Sequence, residues 1–295
     1  MDFLQPANWA DALAERARVP DVLPIAGGTD VMVELNFDAR RPPALLDLTK
    51  IPELTEWDTD GGRVRLGAGV SYTRIITELG GRLPGLAMAA RTVGSPQIRN
   101  RGTVGGNLAT ASPAGDSHPP LLAAGADIEV ASVRGTRMIA AEDFYTGVKR
   151  SALAPDELIA AVHIDLPSGP EQFSKIGTRN AMVIAVAAFG LALHPERKEV
   201  GTGIGSAAPT PRRATEAEAF LAAALADAGL WESRAELPAS LVAEFGVRVR
   251  AAAAPIDDVR GTAAYRLHAL AVMARRTLTW AWREYRGGLA AAQGG

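Results

Sequence analysis

The chain has 295 residues, 47% of them hydrophobic, enough to bury a sizeable core as one large or two medium domains. Its 31 basic and 33 acidic side chains give a formal net charge of -2, without the basic excess that binding a nucleic-acid backbone requires. Cysteine is absent, which excludes disulfides and cysteine-held iron–sulfur clusters, so any redox centre in this chain is organic.

In chain order, Asn8 precedes an apolar spacing of Trp9, Leu13 and Ala17, predicting a capped helix over 8–18 that Pro20 ends. A strand over 22–26 runs into Gly27-Gly28, a short helix opens at Thr29-Asp30 and covers 31–35, and 44–48 reads as another buried strand. Alternation predicts a strand over 63–70, and helices are expected over 72–79 and 86–93. The stretch 94–115 holds Gly94, Gly102, Gly105, Gly106 and Gly115, too many flexible points for a helix, and is expected to be a long functional loop. Strands are expected over 126–133 and 158–166, then a meander over 173–177, 183–193 and 200–206. Three helices over 214–226, 238–253 and 262–286 close the chain, ending at Gly287-Gly288 with a flexible tail over 288–295. Pro167-Ser168-Gly169-Pro170 marks a domain boundary near 167–171.

Two glycine pairs carry the chemistry. At Ala26-Gly27-Gly28-Thr29-Asp30 a strand ends and a helix begins, which bares backbone N–H groups suited to a phosphate, although a plain tight turn reads the same way. Around Gly105-Gly106, the side chains of Thr103, Asn107, Thr110, Ser112 and Asp116 suit a pyrophosphate, a ribose and a polar ring edge; a glycine-rich Ω-loop is the alternative. Neither site fits the Gly-x-Gly-x-x-Gly rule or the lysine-containing P-loop.

The first motif, and more specifically Thr92-Val-Gly-Ser-Pro-Gln-Ile-Arg-Asn-Arg-Gly-Thr-Val-Gly-Gly-Asn-Leu-Ala-Thr-Ala-Ser-Pro-Ala-Gly-Asp116, resembles the FAD-binding subunits of xanthine dehydrogenase and carbon monoxide dehydrogenase. The resemblance extends from Phe3-Leu-Gln-Pro6 to the Ala207-Ala-Pro-Thr-Pro211 connector. It implies an α+β chain: a two-lobed FAD-binding fold of the vanillyl-alcohol oxidase type over 1–167 (lobes about 1–55 and 56–167), then an antiparallel sheet with three helices over 171–287. It places Pro24, Ile25, Ala26, Gly27, Gly28, Thr29, Asp30 and Val31 around the pyrophosphate. It also implies FAD contacts for Val93, Gly94, Gly102, Thr103, Gly106, Asn107, Ala109, Thr110, Gly115 and Asp116, with Ile159 lining the flavin and Lys175 near its ring. Two departures stand out: animal members carry an aromatic residue where this chain has Val93, and many relatives an aspartate where it has Val183.

On this resemblance the chain is expected to be the non-covalent FAD subunit of a molybdenum hydroxylase of the xanthine dehydrogenase type. Its expected partners are a large molybdopterin subunit and a small subunit with two-iron two-sulfur clusters, in a dimer of heterotrimers, with NAD as a possible acceptor. The same subunit of a carbon monoxide, aldehyde or N-heterocycle dehydrogenase, or a free-standing FAD oxidoreductase, is the alternative. His118 reads as structural, Asp257-Asp258 as a solvated turn, and Trp280 and Trp282 as packing or partner contacts. No run approaches the ~18 apolar residues a membrane span needs, and the N-terminus lacks a basic segment leading into an apolar one, so a cytoplasmic protein is expected.

Overall fold

A computed structural model describes residues 1–292. The chain opens with β1 (Asp2–Leu4), α1 (Trp9–Arg18), β2 (Leu23–Ile25), α2 (Val31–Asn36) and β3 (Ala44–Asp47). The Asn8 side chain accepts the Asp11 N–H, so α1 starts where its cap predicts. β1 and β2 flank β3, both parallel to it, and each helix serves as the crossover that parallel strands require.

Next come α3 (Pro52–Thr55), β4 (Trp57–Asp60) and β5 (Arg63–Gly67), a hairpin closed by Gly61 and Gly62. Both glycines have positive φ, the requirement of the two-residue turn that matches strand twist. Four helices follow: α4 (Tyr72–Glu78), α5 (Pro84–Thr92), α6 (Pro96–Arg101) and α7 (Val104–Thr110). The expected long loop over 94–115 therefore contains two short helices. Ser95 and Thr103 cap them through the N–H groups of Ile98 and Gly106, and the glycines fall at their ends or in the first turn, where they cost little.

The chain continues with α8 (His118–Ala124), β6 (Asp127–Ser132), β7 (Gly135–Ala140), β8 (Tyr145–Gly147), β9 (Arg150–Ser151) and β10 (Leu158–Asp165). Strands β4-β5-β10-β6-β7 make a five-stranded antiparallel sheet, with a bulge in β10 beside Ile159. One core, from Ala12 to Ile164, fills this part.

The expected meander is present as β11 (Glu171–Ile176), β12 (Ala187–His194) and β13 (Glu199–Gly205), with residues 183–186 still in the preceding loop. After it come α9 (Thr215–Asp227), α10 (Leu230–Ser233), α11 (Ala239–Ala251) and α12 (Ala263–Ala292). A second core runs from Ala187 to Tyr285. α12 continues through Gly287-Gly288, because glycine weakens a helix by only about 1 kcal/mol per residue and does not terminate it. Of the expected tail, 288–292 is thus helical and 293–295 lie outside the described residues.

The two parts meet where the fully buried α8 lies on β12 and β13. A Cβ on Gly201 would come 1.9 Å from the Ala123 carbonyl oxygen, and one on Gly203 would come 2.1 Å from that of Pro119. Helix backbone rests directly on sheet backbone because these strand positions have no side chain.

Candidate functional site

The first glycine loop links β2 to α2. Gly28 has φ +76°, which turns the chain, and Met32, Val33 and Glu34 satisfy their N–H groups on the carbonyls of Gly28 and Asp30. Among the described residues, none of the N–H groups at positions 27–31 donates to another part of the chain. A consecutive run of bare N–H groups at a helix start is a site for an anion.

The second loop is tied down from below. The Gly105 N–H donates to the Ala68 carbonyl at 3.0 Å and the Tyr72 N–H to the Gly102 carbonyl at 3.0 Å. Thr103 Oγ1 takes the Gly106 N–H and the Thr103 carbonyl takes that of Asn107, so these amides at the start of α7 are already satisfied within the chain. What this loop offers is side chains and space. Thr110 Oγ1 lies 3.0 Å from Asp30 Oδ2, joining the two loops, and a Cβ on Gly106 would touch only Thr103 Oγ1, at 3.2 Å. Asn107 Oδ1 accepts from Ser117 Oγ at 2.6 Å, leaving its amide NH2 without a partner among the described residues.

Between the loops lies a cleft of about 820 Å³, within the range of about 300–1,000 Å³ usual for ligand sites. Pro24, Ala26, Gly27, Gly28, Thr29, Asp30, Val31, Val93, Gly102, Thr103, Gly106, Asn107, Ala109, Thr110 and Ile159 all line it. Sequence reasoning missed Arg16, Arg40, Tyr72, Lys149, Leu153 and Leu158. Arg16 and Arg40 bring positive charge to the cleft, while Leu153 and Leu158 stand with Ile159 as apolar wall. None of them belongs to a motif; the fold delivers them.

Residues 1–167 match the family model described as the FAD binding domain in molybdopterin dehydrogenase, and residues 172–281 match the CO dehydrogenase flavoprotein C-terminal domain. The chain belongs to this family of FAD-binding dehydrogenase subunits. It is 35% identical over 201 residues to the nicotinate dehydrogenase FAD-subunit of Eubacterium barkeri, covering 65% of this chain and 68% of that one. It is 30% identical over 290 residues to the xanthine dehydrogenase FAD-binding subunit of Escherichia coli O157:H7, covering 94% of each. Its structure superposes on a chain of reconstituted CO dehydrogenase from Oligotropha carboxidovorans with TM-score 0.86 and 29% identity, covering 96% of this chain and 98% of that one.

As a FAD subunit of an oxidoreductase, the chain has a cleft that fits its cofactor. The bare N–H run at 27–31 matches a pyrophosphate, and the open face of Gly106 leaves room that any side chain would fill. Among the described residues no group of side chains could hold a metal ion, and no helix is long and apolar enough to cross a membrane.

Five expected contacts, Ile25, Gly94, Gly115, Asp116 and Lys175, do not line the cleft. Gly94, with φ +43°, makes the turn between α5 and α6. Asp116 and Lys175 are paired instead, Nζ to Oδ2 at 2.6 Å, both nearly buried, with Nζ also donating to the Thr92 carbonyl. Burial pushes the Asp116 carboxyl up to about 6 even though Lys175 pulls it down. His118 is fully buried against Tyr145, Nδ1 to the phenol oxygen at 2.8 Å, and burial holds it neutral by lowering its pKa to about 3. The structural reading of this histidine stands.

Proposed function

We propose that FAD lies in this cleft with its pyrophosphate on the N–H groups of residues 27–31 and its flavin toward Val93 and Ile159. Between these ends, Thr103, Gly106, Asn107, Ala109 and Thr110 line the path. The observation that carries the assignment is the bare N–H run facing a second loop whose glycine leaves open space, in a chain whose family binds FAD. Held there by these residues, FAD would supply one-electron exchange with iron–sulfur clusters and hydride exchange with a soluble acceptor. The chain's own work is to hold the cofactor without a covalent link, to wall one side of the ring with aliphatic side chains, and to set charge near it through Lys175 and Asp116.

In this reading, residues 1–167 form the FAD-binding domain and 171–287 the C-terminal domain. The partners are a large molybdopterin subunit, where substrate is hydroxylated, and a small iron–sulfur subunit, in a dimer of heterotrimers in the cytoplasm. NAD is the proposed acceptor and xanthine the proposed substrate of the assembly, in purine catabolism, in keeping with the xanthine dehydrogenase relative. The absence of cysteine, which leaves this chain no cluster of its own, supports separate partners. The visible spectrum of the chain purified from its host tests the whole reading: a flavin spectrum with co-purifying molybdenum and iron–sulfur polypeptides is expected. A colourless chain, or one without those partners, overturns it.

A further inference from the structure

Strand β11 carries Glu171, Phe173 and Lys175 at alternate positions, which puts the three side chains on one face. All three meet α5. The Gly85 N–H, in the first turn of α5, donates to Glu171 Oε2 at 3.0 Å. Phe173 clusters with Ala89 at the middle of the helix, and Lys175 Nζ donates to the carbonyl of Thr92, its last residue. The lengths agree: four strand residues span about 13 Å, seven helix steps about 10 Å, and the long side chains at the two ends cover the difference. The signs agree as well, an acid at the helix N-terminus and a base at its C-terminus.

α5 has no cap of its own, since Leu83 occupies the N-cap position. The opposite face of β11 is held by α12, with Gln172 donating to Glu284 at 2.7 Å and Ser174 Oγ 2.9 Å from Thr277 Oγ1. Glu171 is only 6% exposed, and the Gly85 N–H is its only side-chain hydrogen bond among the described residues. Burying a carboxylate for one such bond is costly, and a purely structural strand position is served better by an apolar side chain. Immediately after Thr92 comes Val93, which lines the cleft, whereas Glu171 and Gly85 do not.

We propose that Glu171 is a positioning residue for the flavin site: it caps α5 from the C-terminal sheet and thereby sets where Val93 stands in the cleft wall. This rests on the placement of FAD in the cleft. The test uses the full chain and its Glu171→Ala and Glu171→Gln variants, with FAD affinity read from flavin fluorescence, the visible bands and midpoint potential of the bound flavin, and thermal melting of the FAD-free chain. Glu171→Ala is expected to bind FAD about tenfold more weakly and to shift the bands and the potential, because the Gly85 N–H loses its acceptor and α5, with Val93 at its end, loses its anchor on β11. Glu171→Gln keeps an oxygen for the Gly85 N–H and is expected to stay close to the parent in affinity. If Glu171→Ala melts earlier but keeps the parent's affinity, bands and potential, the residue is structural only and the proposal is overturned. Should Glu171→Ala fail to fold, Glu171→Asp replaces it; its shorter reach is expected to weaken FAD in the same direction, and parent-like binding overturns the proposal. A parent chain that binds no FAD refutes the cleft assignment itself, a distinct result.

Discussion

Gly27 and Arg101 are in backbone contact: a Cβ on Gly27 would lie 2.0 Å from the Arg101 carbonyl oxygen. The two glycine loops, far apart in sequence, thus lean on each other with no side chain between them, and the cleft exists because they do. Gly27→Ala is therefore expected to push the loops apart, lowering stability by roughly 1–3 kcal/mol, the usual cost of overpacking, and lowering flavin content with it. Gly106→Val should behave differently, keeping the parent's urea midpoint while losing FAD, because its side chain enters open cleft. Asn107→Ala is expected to weaken FAD as well. Flavin-to-protein ratios equal to the parent's in the Gly106 and Asn107 variants would refute the site assignment.

The two members of the buried Lys175–Asp116 pair are expected to act on the flavin in opposite senses. Lys175→Ala is expected to retain FAD and lower its midpoint potential, since a cation that favours the anionic reduced ring is gone, while Asp116→Asn should raise it. Lys175→Ala also strands a buried carboxylate at a cost of about 3–5 kcal/mol. Without its partner Asp116 titrates still higher in the folded chain than unfolded, so the variant should be less destabilised at acid pH than at pH 8. Potentials that move together, or not at all, remove Lys175 from any tuning role.

Glu171 should make stability pH-dependent. Burial raises its carboxyl to about 7, above the unfolded value of 4.5, so between those values the folded chain holds a proton that the unfolded chain has released. Stability from this group is full below about 4.5 and is lost as pH rises through about 7, by on the order of 3 kcal/mol. Urea midpoints for the parent and Glu171→Gln across this window should diverge, with the glutamine variant flatter. Parallel curves would show that the group does not titrate there.

FAD is expected to be held without a covalent bond. The chain has no cysteine, and His118 is buried against Tyr145 rather than among the residues that line the cleft. Acid precipitation should release all yellow colour into the supernatant; flavin left in the pellet contradicts this.

The isolated chain, loaded with FAD, is expected to oxidise NADH with an artificial acceptor and to show no purine hydroxylation until the molybdopterin and iron–sulfur partners are co-expressed. Purine turnover by the chain alone would place a substrate site here that the cleft does not provide.

Much of this was legible locally. Asn8 as a cap, the alternation of β5 and the meander after the Pro167–Pro170 break are short-range signals, and they mark α1, β5 and the C-terminal sheet. Strand β4 and its hairpin with β5 were not anticipated, although Gly61 and Gly62 adopt the positive φ that such a turn demands. The short helices α6 and α7 were hidden by the glycines around them, although Ser95 and Thr103 are their ordinary caps.

The sequence by itself determined that any redox centre in this chain is organic and that two glycine loops suit a phosphate-bearing ligand, because composition, caps and motifs act within a few residues; FAD and the α+β architecture followed from the family resemblance those motifs carry. Only the tertiary structure decided which groups are available at the site. Thr103, not a ligand, takes the Gly106 N–H; Lys175 takes Asp116; and Arg16, Arg40 and Lys149 arrive at the cleft from three unrelated segments. It also decided the role of Gly201 and Gly203, which read along the chain as weak points in a strand and prove to be the floor on which α8 rests. Close approach between distant backbones has no local periodicity, so it leaves no signal until the chain is folded.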